Sequence, residues 1–476
     1  MKRHALFLAL TALGLTVTAP AFAQSDSRDS QIKALKAIVE KQQKQLDQQQ
    51  QDLASLHAAL TQLQGQQTQQ QTQIQQTQQA QQTQAAAIAA VPPPSKPSFT
   101  AGNGLSVSFN GFIDATAFSQ TKSFTYGNGQ NAEFPIPGSL GSLSGFDVRN
   151  TRFMFDLTGA KVAGDWVGGA HLEMDFFGGN NGTGAYSQQQ PLPRLRQAYM
   201  VLENPTTGST LKIGQMWDLI FPLDDLPDSL SHIAFPLGYG AGLIGWRFPG
   251  AIFSQDLNHG STGPAWRLDV GVFEGTWDGP GNNLNYLTAG NAGFRPQVEA
   301  KLHVEQDKEW MFFAAAHYSQ IDLAGVGGTE PTPIKREFGS EAFELGAQWT
   351  PGSWIFKSVL YTGRGIGEIF GDLSQFGDIK DDGGYLTGGY KFTKNWSVNA
   401  FYAIAKPSAN DVIRWMGNGS TGLLRNHMYA TNVEYTVGDY SFALEWIHSV
   451  LLTTTNGGNR LNTSGNQVNL SAFYKF

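Results

Sequence analysis

The chain has 476 residues, a formal net charge of −7, 15% charged and 12% aromatic residues, 55 glycines and no cysteine. The missing cysteines exclude disulfides, thiolate zinc sites and cysteine nucleophiles, and the mild negative charge carries no nucleic-acid signature. A glycine- and aromatic-rich, charge-poor composition suits strands, turns and amphipathic surfaces better than a helical enzyme.

The first stretch, "MKRHALFLALTALGLTVTAPAFAQ", sets Lys2 and Arg3 before an apolar run from Ala5 to Val17 and ends on the small-residue cleavage site Ala21-Phe22-Ala23. That order is the pattern of an export signal, so residues 1–23 are read as a signal peptide and the mature chain as beginning at Gln24. No later run of about 18 apolar residues is available for a transmembrane helix. Any membrane insertion must therefore be as a closed barrel, the other structure that satisfies every backbone polar group in lipid.

Residues 24–90 are Gln-rich. Ile32, Val39, Leu46, Leu53, Leu60, Ile74 and Ile88 share one position of a seven-residue frame, interrupted at Gln67 and Gln81, and Leu35, Leu56 and Leu63 take the companion position. The spacing predicts a self-associating coiled coil, with a disordered low-complexity spacer as the alternative. Dimer and trimer stay open on these heptads. The linker "VPPPSKP" (91–97) ends the helix, because successive prolines remove donors and clash with the preceding turn.

From residue 98 to 476 about sixteen segments of roughly ten residues alternate with the period of two that a one-sided strand shows. In "LSVSFNGFIDA" the apolar set is Leu105, Val107, Phe109, Ile113 and Ala115, and in "FRPQVEAKLHVEQ" it is Phe294, Val298, Ala300, Leu302 and Val304. Connections alternate long and short, as in an up-and-down meander whose rims face different environments. One short-side connection, Pro249 to Pro264, is longer than the pattern. Trp166, Trp266, Trp310, Trp354, Trp396 and Tyr440 follow short polar turns on the apolar face, while Trp349, Phe392 and Tyr435 lie near the ends of strands entering such turns. Rings in those places form an aromatic girdle at a membrane boundary. The fold class is all-β: a 16-stranded antiparallel transmembrane β-barrel with an N-terminal coiled-coil helix.

The stretches "FDVRNTRFMFDL", "LEMDFFG", "RLRQAYMVL" and "GQMWDLI", in that order, resemble the DcaP-like trimeric porins of Gram-negative outer membranes. The resemblance is close over the first third of the barrel and looser beyond it. It implies a homotrimer of barrels, each with its own pore, a coiled coil in the periplasm, and passage of small anionic solutes, notably dicarboxylates. This chain departs from the family after "GQMW", where Asp218 and the acidic, proline-bounded "FPLDDLPDSLSHIAFPLG" follow.

Charge placement can be read independently. A Lys or Arg facing lipid near the bilayer midplane costs about 2–4 kcal/mol, and little on a watered lumen wall. Parity then points Arg152, Arg194, Arg196, Lys212, Arg247, Arg267, Arg295 and Lys301 inward, as a pore-lining, anion-binding sector. Arg194 and Arg196, on one face, offer paired forks suited to carboxylate or phosphate. In general porins the third long connection folds into the barrel; if Leu219 to Gly240 does the same, Asp224, Asp225 and Asp228 face the arginines across a constriction and create a transverse field. The alternative is a solvated wall balanced by Asp114, Glu173, Asp175, Asp269 and Glu299.

No P-loop, dinucleotide fingerprint or nucleophile elbow appears, and no Ser-His-acid set assembles on neighbouring strands, so the chain reads as no enzyme and without cofactor. His171, Glu173 and Asp175 share a face, which reads as lumen lining rather than a metal site. The expected function is passive diffusion of small anionic solutes such as dicarboxylates across the bacterial outer membrane. Phosphate-type selectivity, and an envelope tether binding peptidoglycan or a periplasmic protein through the coiled coil, are alternatives. The last segment, "QVNLSAFYKF", is read as strand sixteen, its apolar face on outer-membrane lipids and its edge paired with strand one. Its terminal Phe476 resembles the signal recognised by the barrel-assembly machinery.

Overall fold

A computed structural model describes residues 98–100, 105–125, 133–179, 190–274, 284–285, 290–291, 295–307, 309–322, 335, 337–369, 371, 373 and 375–476, with scattered positions between 33 and 65. The chain divides into two units, Met1–Val91 and Pro92–Phe476. In the first, the described positions are helical and exposed. Thr61 Oγ1 donates to the His57 carbonyl at 2.9 Å, one turn back. Val39 is the one heptad position among them. The signal peptide, the other heptad positions and the proline linker lie outside the described residues.

The second unit is the barrel. Its first eight strands are β1 (Ser106–Gln120), β2 (Arg152–Lys161), β3 (Val167–Asp175), β4 (Arg194–Asn204), β5 (Ser209–Trp217), β6 (Arg247–Asp256), β7 (Ala265–Glu274) and β8 (Pro296–Gln306). The other eight are β9 (Trp310–Asp322), β10 (Glu337–Trp349), β11 (Trp354–Arg364), β12 (Lys380–Lys391), β13 (Trp396–Pro407), β14 (Leu423–Val437), β15 (Tyr440–Thr454) and β16 (Arg460–Lys475). Each pairs antiparallel with its successor, and β16 returns to β1 with Ile113 opposite Tyr474. The closed sheet leaves no edge. Two short strands, Ser98–Thr100 and Leu143–Asp147, pair along β1.

The alternation runs opposite to that of a soluble core. On β8, Gln297, Glu299, Lys301 and His303 are buried while Val298 and Leu302 are exposed. Apolar residues outside and polar residues inside are what a barrel in lipid requires. The girdle is in place: Trp266, Trp349, Trp354, Trp396 and Tyr440 are exposed near the short turns, with Trp396 and Tyr435 rings 4.8 Å apart across strands. Phe294 lies outside the described residues.

The structure corrects one connection. β6 runs on through Pro249 to Asp256, and the turn is only Leu257–Pro264. Pairing of β6 with β7 begins at Gly250, so Pro249 faces a partner only on β5. A residue without a backbone N–H is tolerated at such a half-open position.

The C-terminus closes the barrel as expected. The backbone N–H and C=O of Phe476 exchange hydrogen bonds with those of Gly111, both 3.1 Å, and the Phe476 ring lies 5.2 Å from Phe109. A side chain at position 111 would meet the Arg152 carbonyl at 2.2 Å, so only glycine allows this approach.

Candidate pore constriction

The connection between β5 and β6, residues 218–246, folds into the barrel. Its composition explains why: Ile220, Phe221, Leu237, Leu243 and Ile244 would be stranded in water at the rim. Instead they bury against an apolar lumen face made by Phe313, Tyr361, Tyr385, Phe401 and Met428. At Gly242, where φ is +131°, a Cβ would lie 2.2 Å from the Gly384 carbonyl. The loop can seat on β12 only because that position is glycine.

Polar contacts fix its path along the wall. Asp218 accepts from the N–H groups of Phe221 and Trp246 at 2.8 and 3.1 Å, which ties the loop's two ends together. The Leu219 N–H donates to Glu299 Oε2 on β8 at 2.7 Å. Further along, Lys357 Nζ on β11 donates to the Leu226 carbonyl at 2.7 Å, and Asn432 on β14 to the Asp228 carbonyl at 2.8 Å. Glu445 on β15 accepts from Ser229 Oγ at 2.7 Å and also from Ser231 Oγ. Asn150, ahead of β2, accepts from the Ala234 N–H at 3.0 Å.

The predicted basic residues divide into groups. Arg196 is 1% exposed; it bonds Glu173 through Nε and Asp175 through Nη1 at 2.8 Å. Arg194 holds the same Asp175 through two bonds, of 3.0 and 2.6 Å. Arg152 lies 3.5 Å from Glu173. Arg247 is buried between the Trp217 and Trp246 rings, 4.6 and 4.2 Å from their centroids. Arg196 and Arg247 therefore lie beneath the loop's aromatic end rather than at the watered surface. A bulge between Glu173 and Met174 turns Arg196 and its neighbour Gln197 toward the same carboxylate, which donates nothing and so accepts from both.

Lys212 on β5, over the Tyr199 ring, and Arg267 on β7, whose side chain is 43% exposed beside Asp269, keep lumen access near the short-turn end. Lys301 is buried over the Phe313 ring, 4.0 Å from its centroid. Arg295 departs from the expectation. It precedes β8 and donates to Gln320 and Asp322, both at 3.1 Å, on the outward parity of β9. Parity fails there because the residue lies outside the regular strand.

The loop acids also sit elsewhere than expected. Asp224 is exposed, within electrostatic reach of Lys212 and His303. Asp228 Oδ1 is 3.4 Å from Lys357 Nζ. Asp225 is fully buried, and burial pushes its carboxyl up to about 8 against the opposing pull of Lys357 and Lys301. The acids thus face lysines of β5, β8 and β11, while the arginines of β2 and β4 are matched by wall carboxylates. Sequence reading missed Lys357, Glu445, Asn432 and Asn150. Inward parity on "IFKSVLY" was the available signal for Lys357; the others required knowing where the loop lies.

One expectation about catalysis is overturned in its geometry. Glu299, His317 and Ser340, on β8, β9 and β10, form a hydrogen-bonded chain of 2.8 and 3.0 Å. All three are buried, so no substrate carbonyl can approach Ser340 Oγ, and the free Glu299 oxygen serves the Leu219 N–H. The chain braces the root of the loop. His171 bonds Asp156 at 2.6 Å while Glu173 and Asp175 are engaged by arginines. No group suited to a metal ion occurs among the described residues.

A closed sixteen-stranded barrel, girdled by aromatics and narrowed by its third long loop, has the fold of the bacterial outer-membrane porins. No protein-family profile matches the chain, and no curated protein matches it by sequence. Among solved structures it is similar to the outer membrane channel DcaP of Acinetobacter baumannii, with a TM-score of 0.59 and 16% identity over 79% of this chain and 99% of that one. It is also similar to an anion-selective porin from Comamonas acidovorans, with a TM-score of 0.51 and 12% identity over 78% and 100%. A third is the trimer form of OmpT, an outer membrane protein of Vibrio cholerae, with a TM-score of 0.50 and 11% identity over 78% and 99%. At these identities the likeness is one of fold. It matches the DcaP-like resemblance read from the sequence, and it spans those barrels nearly end to end.

Proposed function

We propose that the protein is a passive diffusion channel of the bacterial outer membrane that favours small anions, dicarboxylates above all. The observation that carries this reading is the third loop seated inside a closed barrel, next to lumen cations that keep water access: Lys212 and Arg267 at the short-turn end, and Arg194, 22% exposed, on β4. Two separated cationic patches suit a solute with two carboxylates, and neither patch is enclosed, so a solute can leave as readily as it enters. Arg196 and Arg247 act in this reading as buried supports for the wall.

The barrels are proposed to assemble as a homotrimer, with the N-terminal coiled coil read from the heptads associating in the periplasm. Phe476 is proposed to be the residue read during assembly. Planar-bilayer recordings with potassium succinate, potassium phosphate and a neutral sugar test the solute class. The expected results are anion-directed reversal potentials and concentration-dependent current interruption by succinate at lower concentration than by phosphate. Cation-directed potentials would overturn the reading.

A further inference from the structure

The lipid-facing wall carries a second pattern that transport does not use. On four consecutive strands an outward cation lies ten residues from a girdle aromatic: Arg364 from Trp354 on β11, Lys380 from Tyr390 on β12, Lys406 from Trp396 on β13, and Arg425 from Tyr435 on β14. At about 3.3 Å per residue and a tilt near 40°, ten residues rise about 25 Å along the barrel axis, the height of the apolar band. The four cations therefore form one row at the membrane boundary opposite the girdle, on the long-loop side.

Register brings them close: Ala405, next to Lys406, pairs with Asn426, next to Arg425. Arg364 pairs with Lys380 and Asp382 with Lys406. Four residues nearer the girdle, Leu360, Tyr402 and Tyr429 are exposed to lipid. The girdle below has a ring pair on each side, with Trp354 and Tyr390 rings 4.6 Å apart and Trp396 and Tyr435 rings 4.8 Å apart. This sector thus faces lipid, and its basic row meets whatever headgroups fill the outer leaflet.

The row is positioned and still available. Asp378 holds Arg364 and, at 2.8 Å, Lys335, and Asp382 lies 3.2 Å from Lys380. The Arg364 and Lys380 side chains nonetheless remain 46% and 53% exposed. Lys406 and Arg425 make no ion pair among the described residues. One row below, Thr362, Asp382 and His427 offer hydroxyl, carboxylate and imidazole groups, with Thr362 Oγ1 bonded to Asp382 at 2.6 Å.

We propose that the outer face of β11–β14 binds a phosphorylated glycolipid of the outer leaflet. Its phosphates would lie on the row of Arg364, Lys380, Lys406 and Arg425, its sugars on the polar row beneath, and its acyl chains on the exposed leucines and tyrosines. The cations supply charge-assisted bonds to phosphate, and each basic group near an anionic surface contributes a separate increment. The inference rests on the outer-membrane reading and not on the identity of the solute.

Native mass spectrometry of the full-length protein in detergent tests it, with lipid A, dephosphorylated lipid A, phosphatidylglycerol and inorganic phosphate added separately. Lipid A should be retained in preference to the other three, and Lys406→Gln with Arg425→Gln should weaken its retention about 30-fold. Lys391→Gln with Lys394→Gln, at the opposite rim, should leave it unchanged. Conductance equal to wild type in the first variant, which alters no lumen residue, confirms an intact barrel and separates this result from the transport reading. Should that variant not fold, Lys406→Gln alone, at an exposed position, should cost about fivefold. Unchanged retention in Lys406→Gln with Arg425→Gln or in Lys406→Gln alone, or equal retention of dephosphorylated lipid A or phosphatidylglycerol, would overturn the proposal.

Discussion

Lys357 on β11 meets Asp228 of the third loop at 3.4 Å, and the same ammonium donates to the Leu226 carbonyl at 2.7 Å. The loop is therefore held to the far wall by a charge on one side of the lumen and by neutral and acidic groups on the others. Replacing Lys357 with Met should remove both contacts while keeping side-chain volume. A buried hydrogen bond to a charged group contributes about 1.5–3 kcal/mol, so the displaced loop should be populated at least about tenfold more. Single-channel recording should detect larger and noisier unit conductance.

Asp225 gives the loop a pH response of definite sign. Burial raises its carboxyl from an ordinary 3.8 to about 8, so between those values the seated loop holds a proton that a released loop gives up. By linkage, seating is firmest below about pH 4, weakens as pH rises toward 8 and changes no further above it. Unit conductance should rise between pH 5 and pH 9 in the native protein and stay level in Asp225→Asn. An unchanged slope in that variant would assign the response to another group.

Arg196 and the exposed cations should separate stability from selectivity. Arg196→Ala leaves Glu173 and Asp175, both buried, short of a partner. Breaking such a buried ion set costs about 3–5 kcal/mol, which should appear as a lower midpoint in heat-modified electrophoretic mobility. Lys212→Gln with Arg267→Gln touches half-exposed positions and should shift the reversal potential toward cations with little change in that midpoint.

Removing Phe476 should act on assembly. It deletes two backbone bonds to Gly111 and the ring contact with Phe109 at the seam between β16 and β1. The yield of folded barrel in membranes should fall severalfold, while the conductance of any barrel recovered should match wild type. Equal yield would show that the seam tolerates its loss.

Much of the fold was legible because strand parity is a local property. Val298 and Leu302 outward, and Glu299 and Lys301 inward, follow from a period of two alone. The same rule failed where the backbone leaves that period. The bulge at Glu173 brings Arg196 and Gln197 to one carboxylate, and Arg295 lies before its strand begins. The connection from Pro249 read as too long because sequence does not reveal that β6 runs on through a proline paired on one side only. The inward fold of the third loop was suggested by likeness to general porins, but its contacts were not. Glu445 and Ser231 are 214 residues apart, and nothing local couples them. The lumen's two-sided charge arrangement therefore had to be replaced: the loop acids meet lysines, and the arginines meet wall carboxylates.

The reversal potential across a tenfold potassium chloride gradient tests the central claim most directly. With Lys212, Arg267 and Arg194 facing the water path, the channel should pass chloride in preference to potassium, and neutralising Lys212 and Arg267 should move the potential toward zero. A potential on the potassium side in the native protein, or one indifferent to that double substitution, would contradict an anion-selecting lumen.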